Sequence, residues 1–297
     1  MLDLVIDTRR KDLGGGFEVG RLLPYAKRRM VGPFVFFDHI GPASFEPNFP
    51  RSADVRPHPH IGLATVTYLF EGEMTHRDSL GFTQDIRPGE VNWMTAGRGI
   101  THSERFERLR REGGPIHGIQ SWVALPTEHE ETDPAFHHHE GAELPAGNEG
   151  GLRWRLVCGE AFGARAAVKT FSPIFYLHCE LDEGAQVEAP NEYSERAAYV
   201  ADGEVECDGH TYTTGQMLVF APNAPAIVRA RRRSTVMLLG GEPLGPRFIE
   251  WNFVSSSKDR IEQAKADWRA GRMKLPDADD QEFIPLPEPP PPANPMS

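Results

Sequence analysis

Two parts of this chain carry the same order of strands and turns, and this internal repeat is the feature that most restricts its fold. Residues 68–72 (Tyr-Leu-Phe-Glu-Gly) correspond to residues 199–203 (Tyr-Val-Ala-Asp-Gly). Gly89 likewise corresponds to Gly215, and each glycine precedes a run of residues typical of a strand. Short strands separated by Gly and Pro turns, in two similar halves, predict an all-β chain of two small antiparallel barrels.

Four residues of metal-binding types lie in two pairs in the first repeat. His58 and His60 form one pair, and His102 and Glu104 form the other, each with one residue between its members. Alternate residues of a strand share a face, so the four side chains converge if the two strands face each other across a barrel. Three imidazoles and a carboxylate suit a divalent first-row transition metal. The sequence therefore predicts one metal ion here.

A pair of this kind is weak evidence when it stands alone. The chain has 12 histidines, and a second such pair occurs at His137 and His139, within three consecutive histidines. Three consecutive side chains cannot all point to one side of a strand, so we assign no metal to this run.

The second repeat keeps the turns of the first but not its metal-binding residues. Counting from the repeated tyrosines and glycines gives the residues at the four ligand positions. They are Ala189, Asn191, Val228 and Ala230. We therefore expect a second barrel that holds no metal.

Charge and hydropathy exclude several classes of function. The net charge of −11 argues against direct nucleic-acid binding, because phosphate contacts need clustered Lys and Arg. The one basic run near the end of the second repeat, residues 231–233, is interpreted as an exposed turn or loop, with an anion contact as the alternative. No stretch of about 18 apolar residues is present, so we expect no membrane span, and the first residues do not have the pattern of a signal peptide.

The cysteines indicate a reducing compartment. Cys158, Cys179 and Cys207 are far apart and lie in strand-like segments, which does not fit a disulfide framework. The predicted location is the cytoplasm, and the nucleus stays open for a eukaryotic source.

Several motifs are similar to those of one known family. They are Gly-Pro-Phe-Val-Phe-Phe-Asp-His at 32–39, His-Pro-His-Ile-Gly at 58–62, Trp-Met-Thr-Ala-Gly-Arg-Gly-Ile at 93–100, His-Ser-Glu at 102–104 and Gln-Ser-Trp-Val-Ala-Leu-Pro at 120–126. With these motifs the chain closely resembles the pirin family of bicupin proteins. The resemblance is dense over residues 20–130 and looser to about residue 275.

The resemblance implies two tandem cupin barrels with a single metal held by His58, His60, His102 and Glu104. Iron(II) is the preferred assignment, and Mn, Ni, Co, Cu and Zn stay open because ligand type does not select among them. The implied activity is that of a quercetin 2,3-dioxygenase, in which dioxygen opens a flavonol and carbon monoxide is released. Glu104 would also take the proton of the flavonol as a general base. The implied partners are a small aromatic substrate and dioxygen.

A function of another class stays open. The resemblance also covers pirins that act as metal- or redox-dependent interaction proteins, which modulate a transcription factor or a metabolic enzyme without turning over a substrate. A cupin with a purely structural metal is a third option. A monomer is the default expectation.

Three further residues are candidates for orienting the metal ligands through hydrogen bonds. These are His39, His117 and Gln120. His76 is set aside as a ligand and is expected to belong to a polar turn network.

The domain boundaries follow from these assignments. We expect a first barrel over residues 1–130, a linker over 131–151, a second barrel over 152–250, a segment with a helix over 251–273, and an extended tail over 274–297, whose proline-rich part from residue 285 packs little. The expected helix begins after Ser257 and ends near Gly271. Four residues share one face of it: Ile261, Ala264, Lys265 and Trp268.

Overall fold

Several long strands carry apolar residues on both faces, so each of them must be covered on two sides. In the strand Leu63–Glu71, the side chains of Val66 and Tyr68 belong to one buried cluster. Those of Leu63 and Leu69, which point the other way, belong to two different buried clusters. Such strands form the wall of a filled barrel that also packs against a second layer.

The structure, a computed structural model, describes residues 1–12 and 18–288. The first half of the chain contains β1 Leu2–Asp7, β2 Arg9–Asp12, β3 Glu18–Leu23, β4 Phe34–Phe45, β5 Val55–His60, β6 Leu63–Glu71, β7 Met74–Asp78, β8 Thr83–Ile86, β9 Val91–Thr95, β10 Ile100–Arg105, β11 Gly114–Ala124 and β12 Ala135–His139.

The second half contains β13 Ala146–Glu149, β14 Leu152–Ala161, β15 Ala164–Arg165, β16 Ile174–Leu181, β17 Gln186–Glu188, β18 Glu195–Asp202, β19 Glu204–Cys207, β20 His210–Thr213, β21 Gln216–Phe220, β22 Ile227–Ala230, β23 Ser234–Gly241, β24 Phe248–Glu250 and β25 Phe253–Ser255. The α-helices in the described part are α1 Glu107–Glu112 and α2 Lys258–Arg269. No helix in the described residues has the length and apolar character that a membrane crossing requires.

Each barrel consists of one large and one small antiparallel sheet. In the first barrel the order is β12-β9-β6-β11-β4-β3-β2 in the large sheet and β5-β10-β7-β8 in the small one. In the second it is β1-β21-β18-β23-β16-β14-β13, with β15 beside β14, and β17-β22-β19-β20. The expectation of an all-β chain with two tandem cupin barrels is confirmed.

The large sheets of the two barrels pack face to face and share one core. Aromatic side chains from both sheets meet there, including Phe37, Tyr176 and Tyr199. The hydroxyl of Tyr199 lies 2.6 Å from Nδ1 of His39 in the first barrel, and the hydroxyl of Tyr68 lies 2.9 Å from His178 Nδ1 in the second. Buried polar groups thus find partners across the interface, as they must away from water.

The structure differs from the expected domain boundaries at two places. Strand β1 pairs with β21, so the first residues of the chain extend the second barrel rather than the first. The expected linker, residues 131–151, contains β12, which pairs with β9, and β13, which pairs with β14. The side chain of Phe136 in β12 is buried, and this burial holds the segment on the first barrel.

The C-terminal part of the chain returns to the first barrel. Phe253 of β25 forms a parallel bridge with Ile61, and the buried face of α2 packs around this bridge. The hydroxyl of Ser257 accepts a hydrogen bond from the backbone N–H of Arg260, as expected of an N-cap, and Gly271 follows the end of the helix. Of the four residues expected on one face, Ile261, Ala264 and Trp268 are buried; Lys265 instead forms ion pairs with Glu250 and Glu262 at the surface.

Residues 274–288, called here the C-terminal strap, have no helix or strand but pack against the first barrel. The backbone N–H of Ile284 donates to the carbonyl of Pro57, and Nε1 of Trp268 donates to the carbonyl of Ile284. Arg105, which is buried, bonds to Asp279. The part of the expected tail before residue 285 is therefore held on the first barrel, and most of the proline-rich part that was expected to pack little, residues 289–297, lies outside the described residues.

Candidate metal centre

Three histidines converge on one point in the first barrel. In the β5–β10 pair, His102 lies directly opposite His58, and Ile100 lies opposite His60. One nitrogen from each of the three imidazoles falls within 4.8 Å of the others, and all three residues are buried. The two strands are neighbours in the small sheet, not strands that face each other across the barrel. The predicted convergence therefore arises between adjacent strands.

Hydrogen bonds fix the orientation of two of these rings. Nδ1 of His58 donates to the carbonyl of Arg56 at 2.9 Å, and Nδ1 of His60 donates to the carbonyl of Asn252 at 3.0 Å. A carbonyl only accepts, so the proton of each neutral ring is on Nδ1 and the lone pair is on Nε2. This is the tautomer that presents Nε2 to a metal.

Burial keeps these imidazoles uncharged. Desolvation lowers the pKa of His58 to about 4 and the pKa values of His60 and His102 well below their usual range, and neighbouring imidazoles add to the effect for His60 and His102. All three rings are therefore neutral at neutral pH, which is the form that binds metals.

Glu104 lies at the edge of this histidine group. A bulge between His102 and Glu104 shifts the register, so that Glu104 is opposite Val55. Its Oε1 is 3.6 Å from His102 Nδ1, and its Oε2 is buried without a hydrogen-bond partner in the described part of the chain. Burial raises the pKa of Glu104 to about 8, and Arg105 opposes this shift.

The residues present fit a divalent cation. Nε2 of His60, both ring nitrogens of His102 and Oε2 of Glu104 are buried and have no partner among the described residues. Each buried polar atom that stays unpaired lowers the stability of the fold by about 1–3 kcal/mol. Three neutral imidazoles that converge on one point, with the carboxyl of Glu104 beside His102, would recover this cost by binding a transition metal.

A cavity of about 390 Å³ opens beside the histidines. His58, His60 and Glu104 form part of its wall. Most of the other lining side chains are apolar: Val19, Phe36, Ile40, Val55, Met74, Trp122, Trp251 and Ile284. The polar ones are Lys11, Asp12, Arg21, Asp38, Gln120 and Asn252. A mostly apolar cavity with a few placed polar groups is typical of a small-molecule site.

The structure separates the three residues named as candidates for orienting the metal ligands. Gln120 lines this cavity, but its amide oxygen accepts a hydrogen bond from Thr67. His39 and His117 instead point to the other face of the large sheet, where their Nε2 atoms lie 2.7 Å apart. They contribute to the contact between the barrels and do not touch the histidine group.

His76 lies beside the site without belonging to the histidine group. Its Nε2 is 2.9 Å from Oδ2 of Asp78, and its ring stacks on Phe136. Asp78 also accepts a bond from the backbone N–H of Leu80 in the following turn. The expected polar turn network is present.

The equivalent region of the second barrel is apolar. Val187 lies opposite Val228 just as His58 lies opposite His102, so counting from the tyrosines placed the first pair two residues too late. The residues at the four equivalent positions are Val187, Ala189, Val228 and Ala230, all buried. They offer a metal no side-chain ligand.

A larger cleft lies between the barrels, away from the histidine group. Its volume is about 520 Å³, and its lining includes Phe70, His117, Arg155 and His178. No sequence motif predicted this cleft, because its residues come from strands of both repeats.

Fold and site together define a class, a tandem cupin protein with a histidine cluster in its first barrel. The family model described as Pirin matches residues 16–123, and that described as Pirin C-terminal cupin domain matches residues 176–274. The chain belongs to the pirin family.

Individual relatives agree with this assignment. The chain is 68% identical to a pirin-like protein of Caulobacter vibrioides, over 97% of this chain and 100% of the relative. It is 30% identical to human pirin, over 90% of this chain and 91% of the relative. Among solved structures, a quercetin 2,3-dioxygenase from Acinetobacter baumannii superposes with a TM-score of 0.88 at 31% identity, covering 99% of this chain and 97% of that one.

Proposed function

We propose that this protein is a metal-dependent dioxygenase of the quercetin 2,3-dioxygenase type, which cleaves a flavonol-type substrate with dioxygen. One observation carries the proposal: two of the three clustered neutral imidazoles, those of His58 and His60, and the unpaired carboxyl of Glu104 line a mostly apolar cavity of about 390 Å³. The similarity to the Acinetobacter baumannii enzyme adds support.

Four residues hold the cation in this proposal: His58, His60, His102 and Glu104. Iron(II) is our preferred metal, and Mn, Ni, Co, Cu and Zn remain alternatives with the same ligand types. When bound, the metal supplies the Lewis-acid and one-electron chemistry that a reaction with dioxygen requires.

Glu104 has a second role in the proposal, as the base that accepts the hydroxyl proton of the substrate. Its Oε2 has no other partner in the described residues and belongs to a side chain that lines the cavity. Burial favours the protonated form of this carboxyl, so the group has the proton affinity that a base needs.

The walls of the cavity bind the substrate and exclude water. Trp122 contacts the ring of His60, with 4.9 Å between ring centroids, so an aromatic substrate near the histidines would lie against Trp122. Trp251 and Ile284 close the cavity from the C-terminal part of the chain. Removing water strengthens the electrostatic interactions of the buried carboxylate.

We also propose that the protein acts as a cytoplasmic monomer. Its three cysteines are free and buried, which is compatible with a reducing compartment.

The test is flavonol turnover by protein of known metal content. Protein loaded anaerobically with iron(II) is mixed with quercetin and then with air, and the loss of flavonol absorbance and the carbon monoxide released are measured. We expect turnover by the wild type, loss of both metal and turnover in His58→Ala, and no effect of His137→Ala, which changes a histidine outside the group. An absence of turnover with iron, manganese, nickel, cobalt and copper would contradict the proposal and favour the interaction-protein hypothesis.

A further inference from the structure

A row of polar side chains crosses the large sheet of the first barrel. Arg21 of β3 is the register partner of Asp38 in β4, Asp38 is the partner of Gln120 in β11, and Gln120 is the partner of Thr67 in β6. Partners on adjacent strands point to the same face, with Cβ atoms about 4.5–5.5 Å apart. Three of the four residues, Arg21, Asp38 and Gln120, line the same cavity as His58 and His60.

The carboxylate of Asp38 is held in one orientation. Nε of Arg21 donates to Oδ1 at 2.9 Å, and Nη2 donates to Oδ2 at 2.7 Å. Asp38 is only 2% exposed, and the guanidinium of Arg21 lies 4.4 Å above the ring of Phe36. A carboxylate oxygen can accept more than one hydrogen bond, so the fork leaves acceptor capacity on Asp38 for a ligand.

The side chain of Gln120 is oriented as well. The hydroxyl of Thr67 donates to its Oε1 at 2.8 Å, so the amide oxygen is occupied. Nε2 of Gln120 carries two N–H donors that have no partner in the part of the chain that the structure describes. Asp38 and Gln120 therefore present an acceptor and a donor side by side at the cavity wall.

An aromatic row lies next to this polar row. Phe36 and Trp122 are register partners two positions away from Asp38 and Gln120, and their rings stack at 3.9 Å with an interplanar angle of 12°. His60 touches Trp122 edge-on. From the histidines the cavity wall thus continues as an aromatic surface and then as the acceptor–donor pair.

We propose that Asp38 and Gln120 form a binding subsite for two adjacent hydroxyl groups on the aromatic ring of the substrate. One hydroxyl donates to the Asp38 carboxylate, and the oxygen of its neighbour accepts from the Gln120 amide. A catechol ring offers this arrangement, whereas an unsubstituted ring leaves the amide donors of Gln120 unpaired and adds no bond to Asp38, which costs affinity. This inference rests on the proposed function and narrows its substrate class to aromatics with vicinal hydroxyls.

Binding measured without turnover tests the subsite. Quercetin carries vicinal hydroxyls on its pendant ring, and galangin is the same flavonol with that ring unsubstituted. Dissociation constants of both are measured by tryptophan fluorescence quenching, anaerobically, on the metal-loaded protein. We expect the wild type to bind quercetin about tenfold more tightly than galangin, because only quercetin can form the hydrogen bonds to Asp38 and Gln120.

Two variants remove the subsite in different ways. Asp38→Asn removes the charge, and Gln120→Glu keeps the acceptor for Thr67 but replaces the amide donors. We expect each to reduce the preference for quercetin to about threefold or less and to leave the affinity for galangin unchanged. Gln186→Glu, an exposed change in the second barrel, is the matched control and should keep the wild-type preference.

The outcomes separate the two proposals. If wild-type protein binds both flavonols equally well, or if both variants keep the wild-type preference, the subsite is refuted and the dioxygenase proposal stands. If the metal-loaded wild type binds neither flavonol, both proposals fail. Thermal unfolding of each variant identifies any that fails to fold, and the other variant then decides.

Discussion

Nδ1 of His60 lies 3.0 Å from the backbone oxygen of Asn252, a residue 192 positions later in the chain. Asn252 is in the turn between β24 and β25, beyond the last strand of the second barrel. The carbonyl of this turn selects the tautomer of an imidazole in the candidate metal centre. The C-terminal hairpin is therefore part of the site.

The contact between this hairpin and the first barrel depends on Gly62. This residue has φ +68°, and a Cβ atom there would lie 2.0 Å from the carbonyl oxygen of Val254. In Gly62→Ala we expect backbone strain of about 1–3 kcal/mol plus displacement of the hairpin. Denaturant unfolding and metal titration should show lower stability and weaker metal binding.

Gly81→Ala is the matched control for this prediction. Gly81 also has a positive φ, +97°, but nothing lies within 4 Å of its added Cβ. The Gly81→Ala variant should lose stability through backbone strain alone and should keep the metal affinity of the wild type. Equal metal affinities in Gly62→Ala and Gly81→Ala would show that the hairpin does not orient His60.

Metal binding should release a proton from Glu104. The pKa of this carboxyl is about 8 without metal, so it is mostly protonated at pH 7, whereas a metal ligand must be ionised. Calorimetry in buffers of different ionisation enthalpy should detect release of about one proton at pH 7. The apparent affinity should rise by about tenfold per pH unit up to about pH 8 and then level off.

Glu104→Gln should abolish this pH dependence. The pKa of His58 is about 4 and those of His60 and His102 are also lowered, so the histidines contribute no proton above pH 7. Glu149→Gln, an exposed change, should behave like the wild type. Proton release that persists in Glu104→Gln would exclude Glu104 as a ligand.

Asp279 should anchor the C-terminal strap. It accepts bonds from Arg105 at 2.7 Å and from the hydroxyl of Ser103 at 2.6 Å. Because hydrogen bonds to charged groups contribute about 1.5–3 kcal/mol, Asp279→Asn should loosen the strap and speed amide exchange at Ile284. Asp277→Asn, which removes only a surface ion pair with Lys274, should not. Unchanged exchange at Ile284 in Asp279→Asn would argue against this anchor.

Tyr199→Phe should weaken the interface between the barrels without affecting metal binding. The change leaves Nδ1 of His39 buried without its partner, at a cost of about 1–3 kcal/mol in the free energy of unfolding. Tyr212→Phe also removes a tyrosine hydroxyl, but from a half-buried ring in the small sheet of the second barrel. It should lower the free energy of unfolding by less than Tyr199→Phe. A loss of metal affinity in Tyr199→Phe would mean that the interface and the metal site are coupled.

The sequence predicted the parts of this fold that depend on local spacing. The i, i+2 pairs at His58 and His102 place side chains on one face of a strand wherever that strand lies, and the repeated turns indicate two barrels. The two antiparallel barrels were predictable for this reason, and the resemblance to pirins implied that they are cupin barrels.

The sequence did not predict features that depend on contacts distant along the chain. Tyr68 lies eight positions after His60, whereas Tyr199 lies ten positions after Ala189, because the connection between β17 and β18 is longer than that between β5 and β6. Counting from the tyrosines could not detect this insertion. Likewise, the pairing of β1 with β21 depends on which sheet edge is open, and residues 2–7 carry no signal for it.

The strap was missed for a different reason. Residues 274–288 are polar and rich in proline, a composition typical of segments that pack little. Their attachment comes from ion pairs with the buried Arg105 and from two backbone bonds at Ile284, neither of which has a periodic pattern.

The ends of the chain also constrain how the protein can fold during synthesis on the ribosome. Strand β1 can pair only after β21 has been made, more than 200 residues later, and the first barrel receives the hairpin, α2 and the strap only after the second barrel has been translated. If the first half folded before the second was translated, as is common in two-domain proteins, the first barrel would lack these elements. The carbonyl that orients His60 is made after both barrels, so the metal centre is completed only after both barrels have been translated.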